Sequence, residues 1–164
     1  MTLKIDFGFR KQFKTYKFSL NYCYQCGTCS GGCPVAKLTN GDYNPRKIIE
    51  ACILGLKEKL TTLLEPNVWQ CSTCQKCVEY CPQGVELTEI FDHVKNLCVE
   101  AGNYPQAYKA QGEAIREKGS AIPMSNAIIK RRERLGLPVM KTASHSEIQT
   151  LLRETGFIKK MESI

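Results

Sequence analysis

Residues 23–34, CYQCGTCSGGCP, and residues 71–82, CSTCQKCVEYCP, repeat one pattern, C-x2-C-x2-C-x3-C-P, with 37 residues between Cys33 and Cys71. Three cysteines at this spacing lie on a tight loop and present soft thiolates to one cubane, while the proline turns the fourth away to serve a neighbouring one. The spacing therefore predicts two [4Fe-4S] clusters, the first held by Cys23, Cys26, Cys29 and Cys81, the second by Cys71, Cys74, Cys77 and Cys33. Exchange of the fourth ligands requires the two centres to lie close together. Structural zinc uses pairs of cysteine pairs and leaves the third and fourth cysteines without a role; a disulfide scaffold requires neither the repeated spacing nor the trailing proline.

The linker between the motifs decides the fold class. It has room for a long helix with both connections, whereas the linker of a small βαβ ferredoxin holds only a brief turn. Asn40-Gly41 marks a turn, Pro45 is placed to open a helix, and Ile49, Cys52, Ile53 and Leu56 recur at helical intervals. The register continues through Leu60, Leu63 and Leu64 to Pro66, so the helix is expected to run through Gly55. After the second motif, Leu87, Ile90, Phe91, Val94, Leu97 and Cys98 share a face, with Glu89, Asp92, His93 and Asn96 opposite and Gly102 at the end. Cys52 and Cys98, outside both motifs and in phase with aliphatic neighbours, read as buried hydrophobes, and His93 as a surface histidine.

The predicted fold is mainly α: an alpha-helical ferredoxin-like two-cluster domain over 21–102, with an extended N-terminal arm over 1–20 and a helical extension over 103–164. In the arm, Leu3, Ile5, Phe7 and Phe9 alternate as in a half-buried strand, which must fold back or lie on a neighbour, and Phe13, Tyr16 and Phe18 continue an aromatic stretch. In the extension, 104–118 reads as a helix ending near Gly119, and 126–135 as a basic helix closed by Gly136 and Pro138. Ser144-x-x-Glu147 caps a short helix carrying Ile148, Leu151 and Leu152, and Phe157, Ile158 and Ile164 leave the end apolar. This terminal segment is a candidate contact with partner subunits.

The chain's 164 residues leave no obvious room for a separate substrate-binding domain. Its formal charge of +7 counts cysteines as neutral; eight bound thiolates and two oxidised cubane cores bring it to about +3. Two dense basic groups remain, Arg10, Lys11, Lys14 and Lys17, and Lys130, Arg131, Arg132 and Arg134. No aromatic platform or groove-reading motif accompanies them, so solvated faces or docking onto acidic partners are favoured over nucleic acid. The opening residues are interrupted by charge, and no segment approaches the roughly 20 apolar residues that span a bilayer. Reduced thiolates then favour the cytoplasm.

Four thiolates saturate each cubane and leave no iron open to a substrate, so the chain is expected to carry single electrons and to hold no catalytic residue. Neither a G-x-G-x-x-G fingerprint after a strand nor a Walker run supports a flavin, nicotinamide or nucleotide site. Gly31-Gly32 is expected to let the first loop wrap its cluster closely. Tyr24 and Gln25 in the first loop, and Ser72, Thr73, Gln75 and Lys76 in the second, are candidates to tune potentials, with Lys76 more simply solvated. Trp69 and Tyr80 are expected to shield the centres.

The segments NYCYQCGTCSGGCP at 21–34 and WQCSTCQKCVEYCP at 69–82 resemble the cluster motifs of the C subunit of heterodisulfide reductase, and the similarity continues through 85–102 and Gly119-Ser120-Ala121-Ile122-Pro123. It covers residues 20–138. The cysteine pattern alone is shared with succinate dehydrogenase iron–sulfur subunits and glycolate oxidase relatives; the tyrosine and glutamine between Cys23 and Cys26, and the later G-x-x-I-P segment, favour this family. The resemblance implies a cluster-bearing subunit that takes electrons from a flavin-containing A subunit, itself fed by a hydrogenase or formate dehydrogenase. It passes them to the cysteine-rich catalytic B subunit, which reduces the mixed disulfide of coenzyme M and coenzyme B. The eight motif cysteines match the family's cluster ligands one for one, and methanogenic archaea are the expected source. A stand-alone soluble ferredoxin is the alternative; such carriers are usually small and acidic, whereas this chain is basic and extends well past its second motif.

Overall fold

The computed structural model describes residues 4–14, 19–122, 124–139 and 144–163. All regular structure among them is helical: α1 Phe7–Phe13, α2 Thr28–Gly31, α3 Pro34–Leu38, α4 Pro45–Leu54, α5 Lys57–Thr61, α6 Lys76–Glu79, α7 Leu87–Glu100, α8 Gln106–Lys118, α9 Asn126–Arg134, α10 His145–Glu154 and α11 Phe157–Glu162. Two compact units are present, Met1–Tyr104 and Pro105–Ile164.

In the first unit α4 and α7 form the scaffold. Asn44 caps α4, its side chain accepting from the Lys47 amide, and Pro45 occupies the first turn, where a missing N–H costs nothing. Along α7, Leu87, Thr88, Ile90, Phe91, Val94, Leu97 and Cys98 are buried, and on α4 Ile48, Ile49, Ala51 and Cys52. Each large apolar side chain so enclosed contributes about 1.5–3 kcal/mol relative to exposure. Cys52 and Cys98 are core residues, both 0% exposed, and the Cys98 thiol donates to the Leu60 carbonyl at 3.5 Å.

The structure departs from the sequence expectations at three places. The helix that opens at Pro45 does not run through Gly55: that residue adopts φ +77° as the C-cap of α4, and a separate turn, α5, follows. A Cβ at Gly55 would stand 2.7 Å from the Asp6 carbonyl oxygen, and the Asp6 amide donates to the Gly55 carbonyl at 2.8 Å. The helix stops so that the N-terminal segment can dock on its end.

Over Phe7–Phe13 that segment is not an extended arm. Leu3, Tyr16 and Phe18 lie outside the described residues, but Phe7–Phe13 is helical, with the Asp6 carboxylate accepting from the Phe9 amide at 2.8 Å. The buried pair is Phe9 and Phe13, four residues apart, while Ile5 and Phe7 are exposed. A lone strand has no partner for its backbone groups, whereas a capped helix satisfies its own and still presents Phe9 and Phe13 on one side. His93, expected at the surface, is half-buried against this helix: its Nε2 lies 3.0 Å from Gln12 Oε1, and its ring meets Phe13 edge-on at 5.1 Å.

The second unit is built from α8, α10 and α11, with α9 carrying the exposed Lys130, Arg131 and Arg134. α10 begins with the expected capping box, Ser144 and Glu147 satisfying each other's backbone amides. Gly112 is buried on α8 beneath Met161 and Phe157 of α11, a helix whose short apolar run gave no separate signal in the sequence.

Candidate functional site

The two cysteine loops share one backbone design. Each follows a single 3-10 turn, Leu20–Tyr22 before the first and Val68–Gln70 before the second, and each leads into a one-turn helix, α2 or α6. Positive φ falls at matching positions, Gln25 (57°) and Gly27 (85°) in the first loop, Thr73 (53°) and Gln75 (62°) in the second. Left-handed residues turn amides inward, and the Thr73 amide donates to Cys71 Sγ at 3.4 Å.

The loops face each other through α2 and α6. Gly32 and Tyr80 occupy the same place in their motifs, immediately before the fourth cysteine, and the Tyr80 ring lies against Gly32. A Cβ on Gly32 would stand 2.5 Å from Tyr80 Cδ2 and 2.8 Å from Cε2. Gly32 has φ −85°, so it is needed for close approach and not for left-handed backbone.

Across this seam the fourth cysteines change sides. One cavity is lined by Cys23, Cys26, Cys29 and Cys81, together with Gln25, Arg46, Ile49, Val85 and Leu87. The other is lined by Cys33, Cys71, Cys74 and Cys77, together with Tyr43, Pro45, Lys76 and Thr88. Each is thus ringed by three cysteines of one motif and the last cysteine of the other. Four cysteine thiols line each cavity, the number of soft ligands a cubane takes.

Donors to sulfur come from both backbone and side chains. The Ala36 amide donates to Cys33 Sγ at 3.5 Å, the Val85 amide to Cys81 Sγ at 3.4 Å, and Gln25 Nε2 to Cys23 Sγ at 3.4 Å. Gln25 is steadied by Arg46, whose Nη1 donates to Gln25 Oε1 at 3.4 Å and lies 3.5 Å from Glu50 Oε2. The first loop is also tied to α4: Ser30 Oγ donates to Asn44 Oδ1 at 2.7 Å and accepts from the Arg46 amide at 3.0 Å. Sequence reasoning picked out Gln25 and Thr73 but missed Arg46 and Tyr43, which lie in the linker and reach the cavities only once α4 docks. Lys76 lines the second cavity yet is exposed, and Trp69 Nε1 donates to the Asn103 carbonyl at 3.1 Å, bracing the loop from behind.

The thiols differ in their ease of ionisation. Cys26 is held below the ordinary cysteine value, chiefly by its hydrogen bond with the Thr28 hydroxyl. Burial pushes Cys29 up, and it pushes Cys77 up to about 12, where the charges of Cys71 and Cys29 add to the effect. Cys29 and Cys77 belong to different rings, so the rings lie within electrostatic reach of each other. Tyr43 is 1% exposed, and its hydroxyl makes no hydrogen bond of ordinary geometry. Its pKa is raised, first by burial and then by interaction with the Cys71 thiol. A buried phenol without a partner costs about 1–3 kcal/mol, and on a cavity wall it suits a sulfur-rich occupant.

An all-helical scaffold with two cysteine-ringed cavities defines a carrier of two [4Fe-4S] clusters. In agreement, residues 19–85 match the 4Fe-4S dicluster domain family. The chain is 37% identical over 147 residues to the C2 iron-sulfur subunit of CoB–CoM heterodisulfide reductase of Methanocaldococcus jannaschii, covering 86% of this chain and 76% of that protein. It is 34% identical over 145 residues to the C subunit of the H2:CoB-CoM heterodisulfide,ferredoxin reductase of Methanothermobacter marburgensis, covering 85% and 76%. The same figures, 34%, 85% and 76%, hold for the C2 subunit of the H2/formate:CoB-CoM heterodisulfide,ferredoxin reductase of Methanococcus maripaludis. The chain belongs to the family of heterodisulfide reductase iron-sulfur C subunits.

Proposed function

We propose that Cys23, Cys26, Cys29 and Cys81 hold one [4Fe-4S] cluster and Cys33, Cys71, Cys74 and Cys77 the other. On this reading the chain conducts single electrons inside a heterodisulfide reductase complex, from a flavin-containing A subunit to the catalytic B subunit that reduces the coenzyme M–coenzyme B disulfide. The supporting observation is the lining of the two cavities, each completed by the last cysteine of the opposite motif. When bound, each cubane supplies a one-electron couple whose irons are already saturated by protein sulfur.

The polypeptide's part is to position, insulate and tune. The core excludes water from the inner side of both cavities through Ile49 of α4, Leu87 of α7, and Tyr43 and Val85 just before these helices. The amides of Ala36, Thr73 and Val85 and the Gln25 carboxamide donate to ligand sulfurs, stabilising the reduced, more negative state. The outer ends of the rings are open, since Cys26 and Cys74 are exposed, as sites of electron entry and exit must be. Among the described residues no helix is long and apolar enough to cross a membrane, and the proposed setting is a reducing cytoplasm. The names of two relatives carry H2 and formate, and the proposed electron input is accordingly a hydrogenase or formate dehydrogenase acting through the flavin-containing subunit.

The test is rapid-freeze electron paramagnetic resonance of the complex purified with this chain, reduced and then mixed with heterodisulfide. Loss of this chain's cubane signals on addition of the disulfide is expected. Signals that stay reduced while the disulfide is consumed would remove the substrate assignment. Native mass of the complex identifies the neighbours, and recovery of the chain as an active monomer at high salt would point to a free carrier.

A further inference from the structure

The first cysteine of each motif, Cys23 and Cys71, has its own side-chain donor candidate, but the two candidates differ in kind. Cys23 receives Gln25 Nε2, a half-buried amide from its own loop. Beside Cys71 stands Tyr43, which comes from the linker, is 1% exposed and lies on the wall of the cavity ringed by Cys33, Cys71, Cys74 and Cys77. The Tyr43 hydroxyl makes no hydrogen bond of ordinary geometry, and the cavity-lining side chain that interacts with it most strongly is the Cys71 thiol. Its ring is locked in the core, so the hydroxyl cannot swing out to water, and a phenol's simplest role at a wall of thiolates is to donate.

We propose that Tyr43 is a tuning residue for the second cluster alone, its hydroxyl donating to the Cys71 thiolate and holding that couple at a higher potential. The inference rests on the ligand reading above. An O–H···S bond draws electron density from the ligand, and the added electron strengthens the bond, so the reduced state gains more than the oxidised one. The step involves one electron arriving at the cluster and no proton transfer, because the phenol keeps its hydrogen throughout. The partly exposed Gln25 amide is a weaker counterpart, so the two clusters, alike in ligand type, are made unequal by the polypeptide around them.

The experiment is a redox titration of the fully loaded chain and its Tyr43→Phe variant, followed by electron paramagnetic resonance. The second cluster's signal is identified as the one altered in common by Cys33→Ser and Cys74→Ser. The phenyl ring preserves packing, and iron content checks that both proteins carry both clusters. The expected result is about a tenfold fall in the reduced-to-oxidised ratio of the second cluster at fixed potential, equal to about 59 mV for a one-electron couple, with the first unchanged. Equal movement of both couples, or of neither, overturns the proposal. The parent protein gives an independent readout: after exchange into heavy water, pulsed resonance should detect one deuteron coupled to the reduced second cluster that Tyr43→Phe lacks. Absence of that coupling in the parent overturns the proposal even if the variant fails to load. If instead Cys33→Ser and Cys74→Ser alter different signals, it is the ligand reading that falls.

Discussion

Gly32→Ala probes the seam through which the fourth cysteines cross. The added methyl would stand 2.5 Å from Tyr80 Cδ2, about 1 Å inside ordinary carbon–carbon contact. Overpacking of this kind costs about 1–3 kcal/mol. Tyr80 is 50% exposed and its ring can swing partly into solvent, which places the cost near 1–2 kcal/mol. For a unit of this size each kcal/mol corresponds to about 4–8 °C in Tm. In a Tyr80→Ala background the obstacle is gone. Gly32 has φ −85° and ψ −10°, a conformation alanine adopts freely, so there the same substitution should stabilise by about 0.4–1 kcal/mol through the unfolded chain. The sign of the effect therefore reverses between backgrounds, a coupling that a double-mutant cycle reads directly. Anaerobic thermal scans of the four loaded proteins at one scan rate, followed by helical circular dichroism and cluster absorbance, provide the assay. An equal loss in both backgrounds would refute the argument that the Tyr80 ring makes glycine necessary.

Other consequences follow from the packing of α1, α4 and α7. Gly55→Ala should cost roughly 1–2 kcal/mol for its left-handed backbone plus the overlap with the fixed Asp6 carbonyl, more than Gly41→Ala, where φ is also positive but the Cβ meets nothing; equal losses would contradict this. His93→Ala should remove about 1 kcal/mol of contact with Phe13 and Gln12 and speed amide hydrogen exchange in 7–13, and unchanged exchange there would contradict the docking role. The Cys98 thiol has its pKa raised by burial from the ordinary 9.0 to about 11, so folding favours its protonated form. Its contribution is complete below pH 9.0 and is lost as pH rises toward about 11, with Cys52 acting in the same direction. Denaturant midpoints should fall over this window, and less steeply in Cys98→Ala; an identical slope would contradict the assignment.

The two cysteine rings were legible because cluster coordination imposes fixed spacing on chemistry-bearing residues, and α7 because its apolar residues hold one helical phase from Leu87 to Cys98. The ends of α4 were half legible. Asn44 and Pro45 are local signals, but the stop at Gly55 depends on Asp6, nearly fifty residues earlier, and no window around Gly55 contains that contact. The N-terminal segment misled because Ile5, Phe7 and Phe9 alternate as a strand does, while the burial that decides the matter pairs Phe9 with Phe13. Tyr43 and Arg46 were invisible as site residues for the same reason as Asp6: their roles arise when distant segments meet. Gly32 was correctly singled out, but its requirement comes from the partner motif's tyrosine and not from the wrapping of its own loop.

The measurement that bears most directly on the account replaces the fourth cysteines one at a time and records which cluster signal responds. Cys81→Ser should alter the same resonance and couple as Cys26→Ser, and Cys33→Ser the same as Cys74→Ser. If Cys81→Ser groups with Cys74→Ser, and Cys33→Ser with Cys26→Ser, each motif keeps its own fourth ligand and the crossed arrangement is wrong.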